Sequence, residues 1–333
     1  MLPLLLLLVS AIAIYFSCEY FVNGIEWFGR RFNVTKNATG TILAAFGTAL
    51  PESIVTFVAV VLGSNSTTKE IGIGTAIGGP LVLATIAYSV VGLTFVLVKK
   101  YHNKLLNSVG ERRLSHDQLW FMIIFIVKIV LGMLVFSWKP WLGLAFFIAY
   151  GLYVRQEMTG EDDPEHLDFL EALKIKPNET NPATYWIILQ TVLALVVVFI
   201  SSQIFVYQLE TIGPWLGLSS QLVALLLSPI ATELPEIMNA FIWVRQGKHL
   251  LALANISGAM MIQATIPSGL GLLFTPWLLN GESLWGAFLT LLAILIIYLM
   301  LKRGGLTASR LASIGLFYIL FLIGLFFITP FAS

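Results

Sequence analysis

The stretch Gly47–Glu52 reads Gly-Thr-Ala-Leu-Pro-Glu, and 184 positions later Ala231–Glu236 reads Ala-Thr-Glu-Leu-Pro-Glu. Both stretches lie within long apolar segments. A proline in a helix interior removes a backbone donor, and a glutamate inside a hydrocarbon layer is costly. Interrupted, charged helices at corresponding positions of two halves indicate the binding site of a secondary transporter.

The composition around these stretches is that of a membrane protein. Of the 333 residues, 58% are hydrophobic and 11% are charged, whereas about a quarter are charged in ordinary globular domains. Apolar runs of about 20 residues, enough to cross a bilayer, recur along the chain. We predict ten spans, at residues 2–28, 36–62, 71–98, 118–137, 140–155, 183–208, 219–244, 250–277, 284–301 and 309–330.

Two features at the level of the whole chain are less informative. The apolar run at the N-terminus continues past Cys18 to Trp27 and lacks a basic beginning, so we interpret it as a span rather than a signal peptide. The single cysteine permits no intrachain disulfide, and the net charge of +1 gives no sign of a nucleic-acid partner. The expected surroundings are the lipid bilayer, and the oligomeric state stays open.

The basic residues predict the orientation. With the N-terminus outside, the inner loops hold 16 of the 19 lysines and arginines, the outer loops hold Lys69 and Lys139, and Lys128 lies within the fourth span. This bias follows the positive-inside rule with both termini outside. The short loops suggest the inner membrane of a prokaryotic cell.

The chain divides into two halves around an acidic loop. We predict one five-helix repeat at residues 1–155, a cytoplasmic linker at 156–182 and a second five-helix repeat at 183–333. The acidic loop could be a regulatory calcium site, but its spacing lacks the pattern of an EF-hand, which favours a solvated linker. Sliding the chain by 184 positions aligns Phe21–Glu52 with Phe205–Glu236 without a gap.

An odd number of spans in each half inserts the second half upside down. The expected fold is therefore all-α and polytopic, with ten transmembrane helices arranged as two inverted-topology five-helix repeats. The second span of each half, which carries Pro-Glu, then approaches the midplane of the bilayer from the opposite side.

Each Pro-Glu stretch offers oxygen atoms within one helical turn. Thr48 shares a helix face with Glu52, and Thr232 shares one with Glu236. The prolines should free the backbone carbonyls of Gly47 and Ala231. Carboxylate, hydroxyl and carbonyl oxygens suit sodium or calcium, and one copy alone supplies too few of them for calcium. Two copies that meet could supply enough.

Glu233 adds a third carboxylate, three residues before Glu236. Three acids in a dry cavity cannot all stay ionised without a cation, so competition between a cation and a proton is a natural mechanism. The alternative is that Glu233 only forms hydrogen bonds with its bent surroundings.

The third span of each half is the other candidate wall of the site. Ile71–Pro80 is rich in glycine, and Ala254–Gly258 is a milder version of it. Small residues allow close helix packing; alternatively, neutral oxygens of Thr75, Asn255 and Ser257 complete the site. Among the remaining polar groups, Lys128 either neutralises a carboxylate or pairs structurally, and Gln190 and Gln263 are expected to form interhelical hydrogen bonds.

These residues resemble the sodium/calcium exchangers of the calcium/cation antiporter superfamily. That family has two inverted five-helix repeats, with a motif G-T-S-x-P-E followed by G-N-x-x-G-S-N in each. Here Ala49 and Glu233 stand at the two serine positions of the first motif, and Pro80 and Met260 stand at the closing polar position of the second. The departures imply a remodelled site with fewer neutral ligands and an additional acid.

The resemblance implies an antiporter that exchanges Ca²⁺, or another cation, against Na⁺ or H⁺ by alternating access at a carboxylate site near the midplane. It implies transported cations and no prosthetic group. The alternatives are a carrier of another solute or a transport-inactive protein on the same fold. An enzyme is disfavoured because a repeated Thr-x-Leu-Pro-Glu has no use in a single active site. No G-x-x-x-x-G-K-S/T sequence is present to bind ATP.

Overall fold

A computed structural model describes residues 2–31, 44–99, 108–158, 171–247 and 249–329 of the chain. These residues form helices and connecting loops, with no β-strand among them. The helices are α1 (Leu2–Arg31), α2 (Ala44–Phe57), α3 (Ser66–Val82), α4 (Tyr88–Lys99), α5 (Ser108–Met133), α6 (Gly143–Met158), α7 (Thr184–Leu216), α8 (Ser220–Thr232), α9 (Leu234–Arg245), α10 (His249–Phe274), α11 (Gly281–Lys302), α12 (Ala308–Ser313) and α13 (Leu316–Ile328).

The helices account for seven or eight membrane crossings by length and hydropathy. Seven segments of the described chain are long and apolar enough, and the bent pair α8–α9 makes an eighth if it counts as one span. The apolar segment Ala49–Leu62, formed by α2 and a π-helical turn, is shorter. Helix α6 has only 16 residues. An all-helical membrane protein is thereby confirmed, while the count of ten spans stays a prediction.

The packing partners of the two halves are reciprocal. Helix α1 lies along α7, and α3 packs on α8 while α2 packs on α10. In the same way α5 contacts both α10 and α11, and α11 contacts α3. A two-fold relation between the halves would produce this exchange of partners. It would place the first-half helices α2 and α3 against the second-half helices that carry the related sequences.

Two glycines permit the closest of these contacts. A Cβ atom on Gly78 would lie 2.6 Å from the carbonyl oxygen of Leu225 in α8, and one on Gly74 would overlap the carbonyl of Gln221. Gly74 and Gly78 are one helical turn apart, so they form a stripe along which the α3 and α8 backbones meet. For these two residues the packing role of the glycine-rich segment is confirmed.

The described part of the acidic linker, residues 171–182, is only partly exposed to solvent. The Trp27 indole of α1 donates a hydrogen bond to the backbone oxygen of Glu171 at 2.9 Å. Leu173 is buried between Trp27 and Ile187. Most of this stretch is exposed or half-buried, while one apolar side chain, that of Leu173, anchors it to α1 and α7; the linker as a whole stays a prediction. The remaining linker residues up to 170 include positions outside the described chain.

Some predicted boundaries also shift. Helix α5 begins at Ser108 rather than 118, and α7 continues to Leu216 rather than ending at 208. In both places the helix extends through polar residues beyond the apolar run. Hydropathy marks the membrane-embedded part of a helix and not the hydrogen-bonded end of its backbone ladder.

The stripe on α3 predicts a position-specific effect of adding volume. We expect Gly78→Val to destabilise the protein by about 1–3 kcal/mol because the new side chain has to push the α8 backbone away. The matched control is Gly151→Val in α6, where a Cβ meets nothing within 4 Å. Thermal unfolding of the detergent-purified variants measures the difference, and an equal loss in both would contradict the close α3–α8 contact.

Candidate cation-binding site

Glu52 is the central acid of the first half. Its side chain is fully buried in α2. It lies against Gly79 of α3, where a Cβ would be 2.6 Å from Oε2 and 3.0 Å from Oε1. Neither carboxyl oxygen has a hydrogen-bond partner within the described residues, and the same holds for the Thr56 hydroxyl one turn further along α2. Gly79 is thus needed because the carboxyl group occupies the space of a side chain.

The two proline positions differ in their local structure. Pro51 lies inside α2, which continues past it to Phe57. In the second half α8 ends at Thr232, Pro235 stands in the first turn of α9, and the two helix axes make an angle of 44°. The backbone ladder resumes on both sides of the break, where Glu233 donates to Pro229 and Ile237 donates to Glu233. The expected bend is therefore a full break in one copy only.

Glu233 sits at this break with both carboxyl oxygens engaged. Oε1 accepts a hydrogen bond from the Thr232 hydroxyl at 2.5 Å, and Oε2 accepts one from the Gln263 amide of α10 at 2.6 Å. Gln263 is therefore the interhelical hydrogen-bond former that was expected. These contacts agree with the alternative interpretation, in which Glu233 forms hydrogen bonds with its bent surroundings. Whether Glu233 also binds a cation stays a prediction.

Acidic groups from the two halves approach one another here. Glu52 and Glu233 interact electrostatically although they lie on different halves of the chain. Glu236 is fully buried in the first turn of α9 and is close enough to Cys18 of α1 to influence it electrostatically. In the described chain, no three Asp, Glu, His or Cys side chains come together as a compact metal-binding group.

A buried cationic side chain adjoins these acids. The Lys128 ammonium of α5 is fully buried and donates a hydrogen bond to the Ala76 carbonyl of α3 at 2.8 Å. It also lies 4.6 Å from the centre of the Phe125 ring. Lys128 and Glu52 interact electrostatically. The expectation that Lys128 could neutralise a carboxylate is consistent with this electrostatic interaction, although no direct ion pair joins Lys128 to Glu52.

The predicted neutral ligands are placed unequally. Thr75 donates to the Ile71 carbonyl of its own helix at 2.9 Å. The Asn255 amide is 5% exposed, and neither its nitrogen nor its oxygen has a hydrogen-bond partner in the part of the chain that is described. Ser257 contacts the Tyr88 hydroxyl at 2.9 Å and the Gln118 amide at 2.7 Å. Asn255 therefore keeps a free oxygen, whereas Ser257 is held in a polar cluster.

The remaining predicted residues lie at the two Pro-Glu stretches. Ala231 and Thr232 are buried at the end of α8, and the Thr232 hydroxyl also approaches the Ser228 carbonyl at 3.3 Å. Gly47 and Thr48 fall within α2, but the structure describes only their helical backbone and not the surroundings of the Thr48 side chain. The structure thus brings Glu52, Glu233 and Thr232 into one buried region.

Two residues of this region were not found from the sequence. Thr56 is four residues after Glu52, so helical spacing could have placed it on the same face. Gly79 could have been distinguished from Gly74 and Gly78 only by knowing which helix each one faces.

Comparison with known proteins identifies the family of the chain. The sodium/calcium exchanger protein family matches residues 2–155 and 186–329. CaxA of Alkalimonas amylolytica, named as a candidate antiporter, is 25% identical over 285 residues, which cover 83% of this chain and 82% of CaxA.

Two solved structures share the fold. The crystal structure of the H⁺/Ca²⁺ exchanger CAX has a TM-score of 0.77 at 17% sequence identity. The match covers 98% of this chain and 82% of the CAX chain. The structure of the sodium-calcium exchanger NCX_Mj has a TM-score of 0.61 at 22% sequence identity. The match covers 97% of this chain and 98% of the NCX_Mj chain. Because the family matches both halves of the sequence, this chain belongs to the sodium/calcium exchanger family.

Proposed function

We propose that this protein is a secondary active antiporter that exchanges Ca²⁺, or another cation, against Na⁺ or H⁺. The observation that carries the proposal is Glu52, a fully buried carboxyl group with no hydrogen-bond partner in the described residues. A carboxylate in such a place needs a cation or a proton. An exchanger supplies both in alternation.

The surrounding groups suit a hard cation. Calcium takes about six to eight oxygen ligands at roughly 2.3–2.6 Å. Glu52 and Glu236 are the proposed carboxylate ligands. Further oxygens are proposed from the Thr48 and Thr232 hydroxyls, the Gly47 and Ala231 carbonyls, and the neutral or acidic side chains of Thr75, Glu233, Asn255 and Ser257.

The counter-ion is proposed from the same set of groups. Pro80 and Met260 provide no side-chain oxygen where the family has a polar residue, so fewer neutral ligands remain for sodium ions. A buried carboxyl group that loses its cation can instead take up a proton, because protonation removes the cost of a bare charge. Sodium coupling needs neutral oxygen ligands, whereas proton coupling needs only the carboxyl group. Imposing a gradient of each ion separately distinguishes the two kinds of coupling.

For the transport cycle we propose alternating access between two inverted five-helix repeats with ten spans and both termini outside. The reciprocal packing of α2 on α10 and of α3 on α8 supports this arrangement. Basic residues in the last turns of α1, α6, α9 and α11 support the orientation. The broken α8–α9 segment is the element proposed to move. The inner membrane of a prokaryotic cell is the proposed location.

The second candidate is a transport-inactive or solute-carrying protein on the same fold. The observation in its favour is the loss of polar side chains at Pro80 and Met260. A carrier of organic anions would need an accessible cationic group, whereas the Lys128 ammonium is fully buried on the Ala76 carbonyl. We propose no enzymatic activity.

The test is radiolabelled calcium uptake into proteoliposomes of the purified protein. An outward sodium gradient and an outward proton gradient are imposed separately. Calcium uptake driven by one of these gradients supports antiport and identifies the counter-ion. Uptake under neither gradient, by protein shown to be folded, would contradict calcium antiport and favour the transport-inactive alternative.

Removing either central carboxylate should abolish exchange. We expect Glu52→Gln and Glu236→Gln each to lower the initial rate of uptake at least about tenfold, because each removes a charged ligand without changing side-chain size. The control is Glu19→Gln, whose carboxylate pairs with Lys174 at 3.3 Å and is 38% exposed. Wild-type rates in either central variant would contradict the assigned site.

Glu233 should matter less than Glu52. Both its oxygens accept hydrogen bonds from Thr232 and Gln263, so it is less free to bind a cation. We expect Glu233→Gln to reduce calcium affinity by no more than about threefold, within the range of a lost neutral hydrogen bond. Calcium titration of the uptake rate measures this. An affinity loss as large as that of Glu52→Gln would show that Glu233 is an essential charged ligand.

A further inference from the structure

Pro80 creates an unusual acceptor in α3. Proline has no N–H, so it cannot bond to the carbonyl four residues earlier, which is that of Ala76. Ala76 is fully buried, so water cannot satisfy the oxygen. The Lys128 ammonium reaches across from α5 and donates to it at 2.8 Å. Pro80, which replaces the polar residue of the family motif, thus also leaves the Ala76 carbonyl without a backbone partner, and the Lys128 ammonium binds that carbonyl.

The other neighbours of Lys128 are those of a bound cation. Phe125 presents its ring 4.6 Å from Nζ. Glu52 interacts with Lys128 electrostatically, and its carboxyl group lies on Gly79, one turn along α3 from Ala76. A backbone carbonyl, a carboxylate and an aromatic face each attract a desolvated monovalent cation. The Ala76 carbonyl and the Phe125 ring contact the ammonium, and the Glu52 carboxylate acts on it electrostatically without a direct ion pair.

We propose that the Lys128 ammonium is a tethered cation that fills one monovalent-cation position beside Glu52. The inference rests on the proposed function in treating Glu52 as part of the transport site. A tethered charge is never released, so it reduces by one the number of counter-ions that can bind there. It also repels an incoming cation from the Lys128 side of the carboxylate. Lys128 is thus a specificity-determining residue and not a ligand.

In the described part of the second half, no lysine takes the position that corresponds to Lys128. Helix α11, whose packing on α3 corresponds to that of α5 on α10, has no lysine or arginine before Lys302 in its last turn. Met260 takes the place corresponding to Pro80, and it keeps its backbone N–H. The tethered cation therefore belongs to the Glu52 side alone.

Lys139 provides a matched control within the same chain. Its ammonium also donates to backbone carbonyls, the part-buried one of Leu134 at 2.7 Å and the buried one of Trp277 at 2.9 Å. It lies in the 3₁₀ turn between α5 and α6. A lysine that merely satisfies carbonyl groups should behave as Lys139 does when its charge is removed.

The experiment is equilibrium binding of radiolabelled sodium to the detergent-purified protein. Lys128→Gln removes the charge but keeps a donor for the Ala76 carbonyl, Lys128→Arg keeps the charge, and Lys139→Gln removes the matched charge. We expect Lys128→Gln to bind one additional sodium ion per chain, with sodium affinity raised on the order of tenfold. Lys128→Arg and Lys139→Gln should bind sodium as the wild type does.

Unchanged sodium binding by folded Lys128→Gln would overturn the proposal. Lys128→Met, which removes the hydrogen bond too, is the second variant, and high sodium should restore its thermal stability if a free ion can replace the tethered one. Failure of sodium to restore it would likewise count against the proposal. If the wild type exchanges calcium but Lys128→Gln binds no additional sodium ion, the proposed function stands and only this inference is overturned.

Discussion

A carboxylate cannot stay both charged and unneutralised in the interior of a membrane, and the arrangement around Glu52 follows from this constraint. The side chain is fully buried, and its oxygens lie in the space that a side chain at position 79 would fill. The nearby charges are a second acid, Glu233, and one ammonium, that of Lys128. A mobile cation or a proton has to complete the charge balance. The proposed exchange of one cation against another cation or a proton would meet that requirement.

The two copies of the Pro-Glu sequence meet this constraint differently. In the first copy α2 remains continuous, and a neighbouring helix supplies the compensating lysine. In the second copy the helix breaks, and the exposed turn is braced by hydrogen bonds from Thr232 and Gln263 to Glu233. The first copy therefore has a compensating charge nearby, while the second copy has a break in its helix. Such a division suits a carrier in which one half moves against a fixed partner.

The sequence predicted the helical membrane fold and the residues that carry the acids, because both depend on strong local signals. Long apolar runs indicate membrane spans, and a repeated proline beside a carboxylate is costly inside such spans unless it has a role. The contacts between helices could not be read in the same way. Gly74, Gly78 and Gly79 are equivalent as glycines, and only the fold shows that two of them face α8 while the third faces Glu52.

The roles of the buried polar groups were predicted only in part, and for the same reason. Gln263 was expected to bond between helices, but nothing in the sequence identifies its partner Glu233, which lies 30 positions away at the break between α8 and α9. Lys128 was recognised as a possible counter-charge, but its link to Pro80 requires knowing that α5 and α3 meet at Ala76. The site therefore depends on long-range packing that residue spacing does not encode.

The central claim is that one cation binds at Glu52 between the two halves. Anomalous X-ray scattering from crystals of the protein soaked in calcium or strontium tests it most directly. The account predicts a peak about 2.3–2.6 Å from a Glu52 carboxyl oxygen for calcium, lost in crystals of Glu52→Gln. A peak elsewhere in the membrane region, or one that persists without the Glu52 carboxylate, would contradict it.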